Sequence, residues 1–264
     1  MQKLPPLIHW TRASTILLSG FLMAIGLIVY VWWPLAQEYL SYFSYVDWHY
    51  WWLYIDWLLI GIFLFMSLTI VARANLRTDG LIVLVATIGG LVIEAWGTQT
   101  NLWFYYTSER PPLWIIPAWP IATLSIDRIT RALSYSLPNK NLQAYKILYW
   151  LTFILFYALM LIFVAPTFGK PYTILALLLC ALFILIPTDH RLAFLVFIAG
   201  ASLGYFLELW GTTRQCWTYY TYQTPPLFAV LAHGMAAVTF WRTGLILKKI
   251  GGRFGLLKSQ PIEA

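Results

Sequence analysis

Eight apolar runs, separated by short polar stretches, dominate the chain: 17–33, 53–71, 81–96, 113–126, 147–164, 172–186, 192–210 and 227–247. Each is near the length that crosses about 30 Å of hydrocarbon. The third, fourth and sixth are short and must extend into their aromatic or polar flanks. The pattern predicts an all-α fold, a polytopic transmembrane helical bundle of about eight spans. The first run follows Lys3 and Arg12, ends in Trp32-Trp33-Pro34 and lacks a small-residue cleavage site. It therefore reads as an uncleaved span rather than a signal peptide.

Composition agrees. The chain is 61% hydrophobic and 10% charged, whereas soluble domains are roughly 45–50% apolar and about 25% charged. That excludes a soluble domain, and it equally excludes a disordered, highly charged chain. The net charge of +7 does not point to nucleic acid, because the basic residues form no stripe or arm. They fall between the runs, fourteen on one side and only Arg110, Lys170 and Arg214 on the other. By the positive-inside rule this puts both termini in the cytoplasm, in a membrane of bacterial inner-membrane type. Trp32, Trp48, Trp103, Trp114 and Trp217 mark the opposite face, where an interfacial aromatic belt normally sits.

Shifted by 114 residues, the chain matches itself without gaps from 90–128 to 204–242, with 15 of 39 positions identical. The shared pattern is E-x-W-G-T-x4-W-x-Y-Y-T-x3-P-P-L. It predicts two parallel four-helix repeats, 1–135 and 136–264 with a basic tail, related by an axis along the membrane normal, as in parallel-repeat transporters. A plainer reading is a helix–loop–helix hairpin in which Gly97 and Gly211 end one helix and the Pro pairs start the next. That reading leaves the carboxylates unexplained.

Glu94 and Glu208 lie inside apolar runs, where an acid is costly unless it faces the interior, is paired or is neutral. Either they bond a neighbouring backbone or Thr group, or they are candidate acids. Kept neutral by burial, they can donate a proton. The candidate catalytic set is Glu94, Glu208 and Asp56, the last near the outer end of the second run. Trp96, Thr98, Trp103, Tyr106, Trp210, Thr212, Trp217, Tyr220 and His233 form the candidate substrate-binding set, the ring faces being able to shield a cation. His233 is the one histidine inside a span, which disfavours bis-histidine haem and leaves a single pigment ligand as an alternative. Asp127, Arg128 and Arg242 read as ion pairs or topology anchors at helix ends. Cys180 and Cys216 form no metal site or disulfide framework. No metal is expected, and no cofactor is identified.

The stretch from Glu94-Ala-Trp96-Gly97-Thr98 through Tyr105-Tyr106 to Pro111-Pro112 resembles the integral-membrane carotenoid-biosynthesis proteins, a group of carotenoid hydratases and lycopene-cyclase-domain proteins. The resemblance covers about 25 residues in each copy. It implies an isoprenoid or carotenoid-like lipid, with Glu94 and Glu208 as acid groups in an addition or cyclisation. Arg214 stands where the first copy has Thr100, which puts one of the two sites in doubt. The expected partners are membrane lipids, a lipidic or polyene ligand and other membrane subunits, not nucleic acid. A non-catalytic subunit of a larger membrane complex and a transporter are the competing readings.

Overall fold

The computed structural model describes residues 10–137, 141–187 and 189–253. Lys3, His9, Lys140, Lys258 and the end of the basic tail lie outside them. The described chain is all-α apart from one short ribbon. Its helices are α1 (Arg12–Val31), α2 (Trp33–Ser41), α3 (Trp57–Val71), α4 (Leu76–Gln99), α5 (Ala118–Ser136), α6 (Leu142–Val164), α7 (Pro171–Leu185), α8 (His190–Thr213) and α9 (Leu227–Arg253). The ribbon pairs β1 (Trp103–Tyr105) with β2 (Trp217–Tyr219).

Polar side chains cap the starts of five of these helices. Thr11 and Ser14 form a reciprocal capping box on α1. Asp56, Asn75, Asn141 and Asp189 each accept a first-turn amide of α3, α4, α6 and α8. Helices α4 and α8 are both 24 residues long and start 114 residues apart.

Among the described residues, five helices rather than eight are long and apolar enough to cross a bilayer: α1, α4, α6, α8 and α9. Helices α3 and α7 are apolar but only 15 residues long. The fourth predicted run is displaced. Residues 113–115 form a 3₁₀ turn, and α5 begins only at Ala118. Pro117 caps α5 and Pro120 sits in its first turn, where a missing N–H costs nothing. The shift carries Asp127, Arg128 and Arg131 into the helix.

Arg128 tolerates that position because its charge is answered. Its Nη1 and Nη2 lie 2.9 and 2.7 Å from the two carboxylate oxygens of Asp79 on α4. Nε donates to the Ala72 carbonyl at 2.9 Å, and Asp127 takes a further bond. Asp79 is wholly buried.

The largest core cluster surrounds α6, α8, α9 and the ribbon, with Tyr149, Phe153, Phe197 and Val238 among its innermost residues. Glycines bring α8 and α9 together. A Cβ on Gly200 would lie 2.8 Å from the His233 carbonyl, and one on Gly234 would lie 2.6 Å from the Phe197 carbonyl. Small residues at such crossings let backbones approach where lipid offers no hydrophobic drive.

Candidate functional site: two caged carboxylates facing one cavity

Helix α4 carries Glu94, Gly97 and Thr98 on one face, because residues three and four apart are neighbours on a helix. Thr98 Oγ1 bonds back to the Glu94 carbonyl at 2.6 Å. Beyond Thr100 the helix ends in a reversal with the hydrogen bonds of a Schellman motif. Asn101 lies at φ 61°, its amide donates to the Thr98 carbonyl and the Leu102 amide to that of Gly97. On α8, Glu208, Gly211, Thr212 and Gln215 repeat every one of these features.

The reversals aim β1 and β2 at each other. They pair antiparallel, Trp103 opposite Tyr219 and Tyr105 opposite Trp217. Side chains alternate along a strand, so Trp103 and Tyr105 point inward together while Phe104 and Tyr106 point outward. Trp217 and Tyr219 do the same on β2. Their rings interleave, with centroids 5.8 Å apart for Trp103–Tyr219 and 5.9 Å for Tyr105–Trp217.

Each inward pair closes on one carboxylate. Glu94 Oε2 accepts Trp103 Nε1 at 3.0 Å and the Tyr105 hydroxyl at 2.9 Å. Glu208 accepts Trp217 Nε1 at 2.9 Å and the Tyr219 hydroxyl at 2.8 Å. A third contact completes each cage. Trp119 Nε1 donates to Glu94 Oε1 at 3.1 Å, and His233 Nε2 lies 2.9 Å from Glu208 Oε1. Trp119 and His233 are 114 residues apart and stack on one another, with centroids 5.6 Å apart and planes at 18°. The two carboxylates are thus joined in the order Glu94, Trp119, His233, Glu208.

Close approach of the indoles depends on glycine. A Cβ on Gly97 would lie 1.9 Å from the Trp103 ring, and one on Gly211 would lie 2.0 Å from Trp217. Gly97→Ala or Gly211→Ala is therefore expected to push an indole out of its cage. The cost should be about 1–3 kcal/mol, read as a lower thermal unfolding midpoint in detergent.

The cages form one wall of a cavity of ≈ 830 Å³. Its lining is overwhelmingly apolar, drawn from α1, α3, α4, α5, α6, α7, α8 and α9, and includes Phe156, Met160, Phe228 and Phe240. Glu94, Glu208 and His233 are the ionisable side chains on it besides tyrosine and cysteine. Among the described residues, no three His, Cys, Asp or Glu side chains gather as metal ligands would.

The expected site residues divide as follows. Glu94, Glu208, Trp96, Trp103, Trp210, Trp217 and His233 line the cavity. Thr98 and Thr212 are buried but serve their own helices. Tyr106 is 55% exposed, and the Tyr220 hydroxyl donates to the Phe163 carbonyl at 2.7 Å, so neither reaches a carboxylate. Tyr105, Tyr219 and Trp119 take the places that sequence reasoning missed. The signals were the alternation of a strand for the tyrosines and the 114-residue offset of Trp119 from His233.

Asp56 stands apart, at the N-terminal cap of α3. It accepts Trp210 Nε1 at 2.9 Å and pairs with Arg214 Nε at 2.9 Å. Burial alone would raise its pKa, but Arg214, the Leu59 amide and Trp210 outweigh it and hold the carboxyl below its ordinary range. Asp56 and Arg214 tie the end of α8 to α3. Trp96, at the position matching Trp210, donates to Thr173 Oγ1 at 3.2 Å.

Asymmetry between the cages decides what each can do. Trp119 offers an indole N–H that can only donate, so Glu94 sits among two indoles and a tyrosine as a fixed acceptor. His233 can donate or accept, so Glu208 has a partner through which a proton can arrive or leave. No known family model, curated protein or solved structure matches the chain.

Proposed function

We propose that this chain is an integral membrane protein that holds an isoprenoid or carotenoid-class lipid in the cavity, with a carbon–carbon double bond beside Glu208 and His233. The reaction we assign is acid-initiated addition or cyclisation. The Glu208–His233 pair gives a proton to one alkene carbon, whose π electrons form the new C–H bond and leave a tertiary carbocation. Glu94 and the ring faces of Trp103, Trp119 and Trp217 stabilise that cation. Water then adds and loses a proton, or a neighbouring double bond attacks and the product loses a proton, which returns to the pair.

One observation carries this reading. The large apolar cavity has its carboxylates gathered at a single wall, fixed by indole and phenol donors. Such a space suits a long hydrocarbon with one reactive place, entering from the bilayer. Extraction of lipid from protein purified out of a polyene-producing host tests it. A bound polyene with visible absorbance, altered in mass on turnover, is expected. Absence of any co-purifying isoprenoid, together with stable large subunits on the same column, favours the accessory-subunit reading instead.

The arrangement that goes with this function is eight spans in two parallel four-helix halves, α3, α5 and α7 serving as shorter spans. A pseudo-two-fold axis near the membrane normal relates the halves, and both termini are cytoplasmic. The recurrence of both cages at one offset, and the fourteen-to-three division of basic residues, support it. Cysteines placed at Asn141 and Gln223 should label from opposite sides of sealed vesicles. Labelling of both from outside would refute the orientation.

A further inference from the structure

The cavity has two flanks. Helices α1 and α3 build one, with Phe21, Ile62 and Met66 on its wall, and α6 and α7 build the other, with Phe156, Ala176 and Cys180. Helix α3 packs on α1 and α5, and α7 packs on α6 and α9. Both α3 and α7 are 15 residues long, and they start 114 residues apart. Met66 and Cys180 stand at matching places in them.

A row of aromatic rings on the cavity wall runs from one flank to the other. Trp96 bonds Thr173 on α7 and meets Trp103 edge-on, with centroids 5.9 Å apart. Trp210 bonds Asp56 at the start of α3 and lies 6.1 Å from Trp217. The interleaved Trp103, Tyr219, Tyr105 and Trp217 fill the space between. Those four rings are the ones that close on Glu94 and Glu208, so the carboxylates stand midway along the row. At each flank the cavity reaches the surface of the bundle. Val92, one turn before Trp96, and Tyr172, Leu175 and Leu179 on α7 all line it and are 45–60% exposed. Leu59 and Phe63 on α3 line it and are 38% and 36% exposed.

We propose that the lipid threads the bundle from the α3 flank to the α7 flank, so that the double bond beside Glu208 and His233 lies in the interior of its chain. This rests on the reading of the cavity as a lipid site, and it adds where on the lipid the reaction falls. A pocket closed at one end measures a chain from its terminus and suits a terminal double bond. A passage that reaches the surface at both flanks has no such stop. The aromatic row offers ring faces and edges along the whole passage, and its carboxylates meet the chain near the middle. The substrate class is then a long acyclic polyene or polyisoprenoid with hydrocarbon on both sides of the reacting bond.

The test uses the full chain in lipid discs and a squalene analogue carrying a diazirine midway along each arm. After irradiation, peptide mass spectrometry should find single probe molecules joining α3 to α7, with adducts at Ile62 or Met66 and at Ala176 or Cys180. Excess squalene should abolish the joined pair. Ala24→Phe on the α1 side and Ala176→Phe on the α7 side, both on the cavity wall, should each lower its yield about tenfold or more. A chain lodged in one flank would respond to only one of them. Adducts confined to one flank of the native chain overturn the proposal without need of any variant. The second readout is the product of turnover, located by fragmentation. A modified carbon inside the chain supports threading. A modified terminal double bond overturns it and leaves acid-initiated chemistry standing. A joined pair without turnover supports threading and removes the acid chemistry instead. No adduct on either flank, with no co-purifying isoprenoid, overturns both.

Discussion

His233→Trp is expected to keep the fold and the bound lipid while lowering turnover by about 10²-fold or more, the range typical of a lost acid–base group. The protein already holds the control, because Trp119 makes the corresponding bond to Glu94. Room for the larger ring is provided in the same way on both sides. Gly90 lies under Trp119 and Gly204 under His233, and a Cβ on either would come within 2.4 Å of the neighbouring side chain. The substitution therefore exchanges a partner of Glu208 that can donate or accept for one that can only donate. Glu208→Gln should lose as much, since the amide keeps the shape of the carboxylate and cannot return a proton. Glu94→Gln should also slow the reaction, by removing charge beside the cation. Conversion of the extracted polyene, measured by mass and absorbance, distinguishes these outcomes. Full turnover in both His233→Trp and Glu208→Gln would remove the acid–base assignment while leaving lipid binding to stand.

The carboxylates were legible in the sequence because they are identical residues at one offset inside apolar runs. Their surroundings were legible only in part. Trp103 and Trp217 follow from the shared pattern, but Tyr105 and Tyr106 are both shared, and only one of them faces inward. The choice is set by the phase of a three-residue strand, which is too short to reveal its own alternation. A search for identity also passes over Trp119, because its counterpart is His233. That difference is the one with chemical consequences. Asp56 looked like a third acid because it stands near a span. Its partner Arg214 is 158 residues away, a distance that no local pattern bridges.

The bounds of the apolar runs missed the helix starts for a related reason. Apolarity marks residues that lipid or core will accept, but it does not mark where a helix starts. Pro117 and Pro120 move the beginning of α5, and Asp56 delays α3 until Trp57. Arg128 lay just beyond the expected end of its run, where it read as an anchor. It is instead buried in the helix, because α4 brings Asp79 to it.

That pair gives the largest expected loss of stability. Asp79→Ala should cost about 3–5 kcal/mol, because breaking a buried pair leaves an uncompensated charge. Both carboxylate oxygens are engaged: Oδ1 and Oδ2 accept Arg128, and Oδ2 also accepts the Asn75 amide at 2.7 Å. The variant thus loses a cap on α4 along with the ion pair. Asp79→Asn should lie between the two, since it keeps an acceptor for Arg128 but no charge. The decisive comparison is the double variant Asp79→Ala with Arg128→Leu. Removing the cation as well relieves the buried charge, and replacing such pairs with apolar groups is often neutral. The double variant should therefore unfold well above Asp79→Ala alone, the remaining deficit reflecting the Asn75 bond and the carbonyls of Ala72 and Ile70 that Arg128 had satisfied. If the double variant is no more stable than the single one, the loss lies in packing and capping, and the charge of Arg128 is not what Asp79 answers.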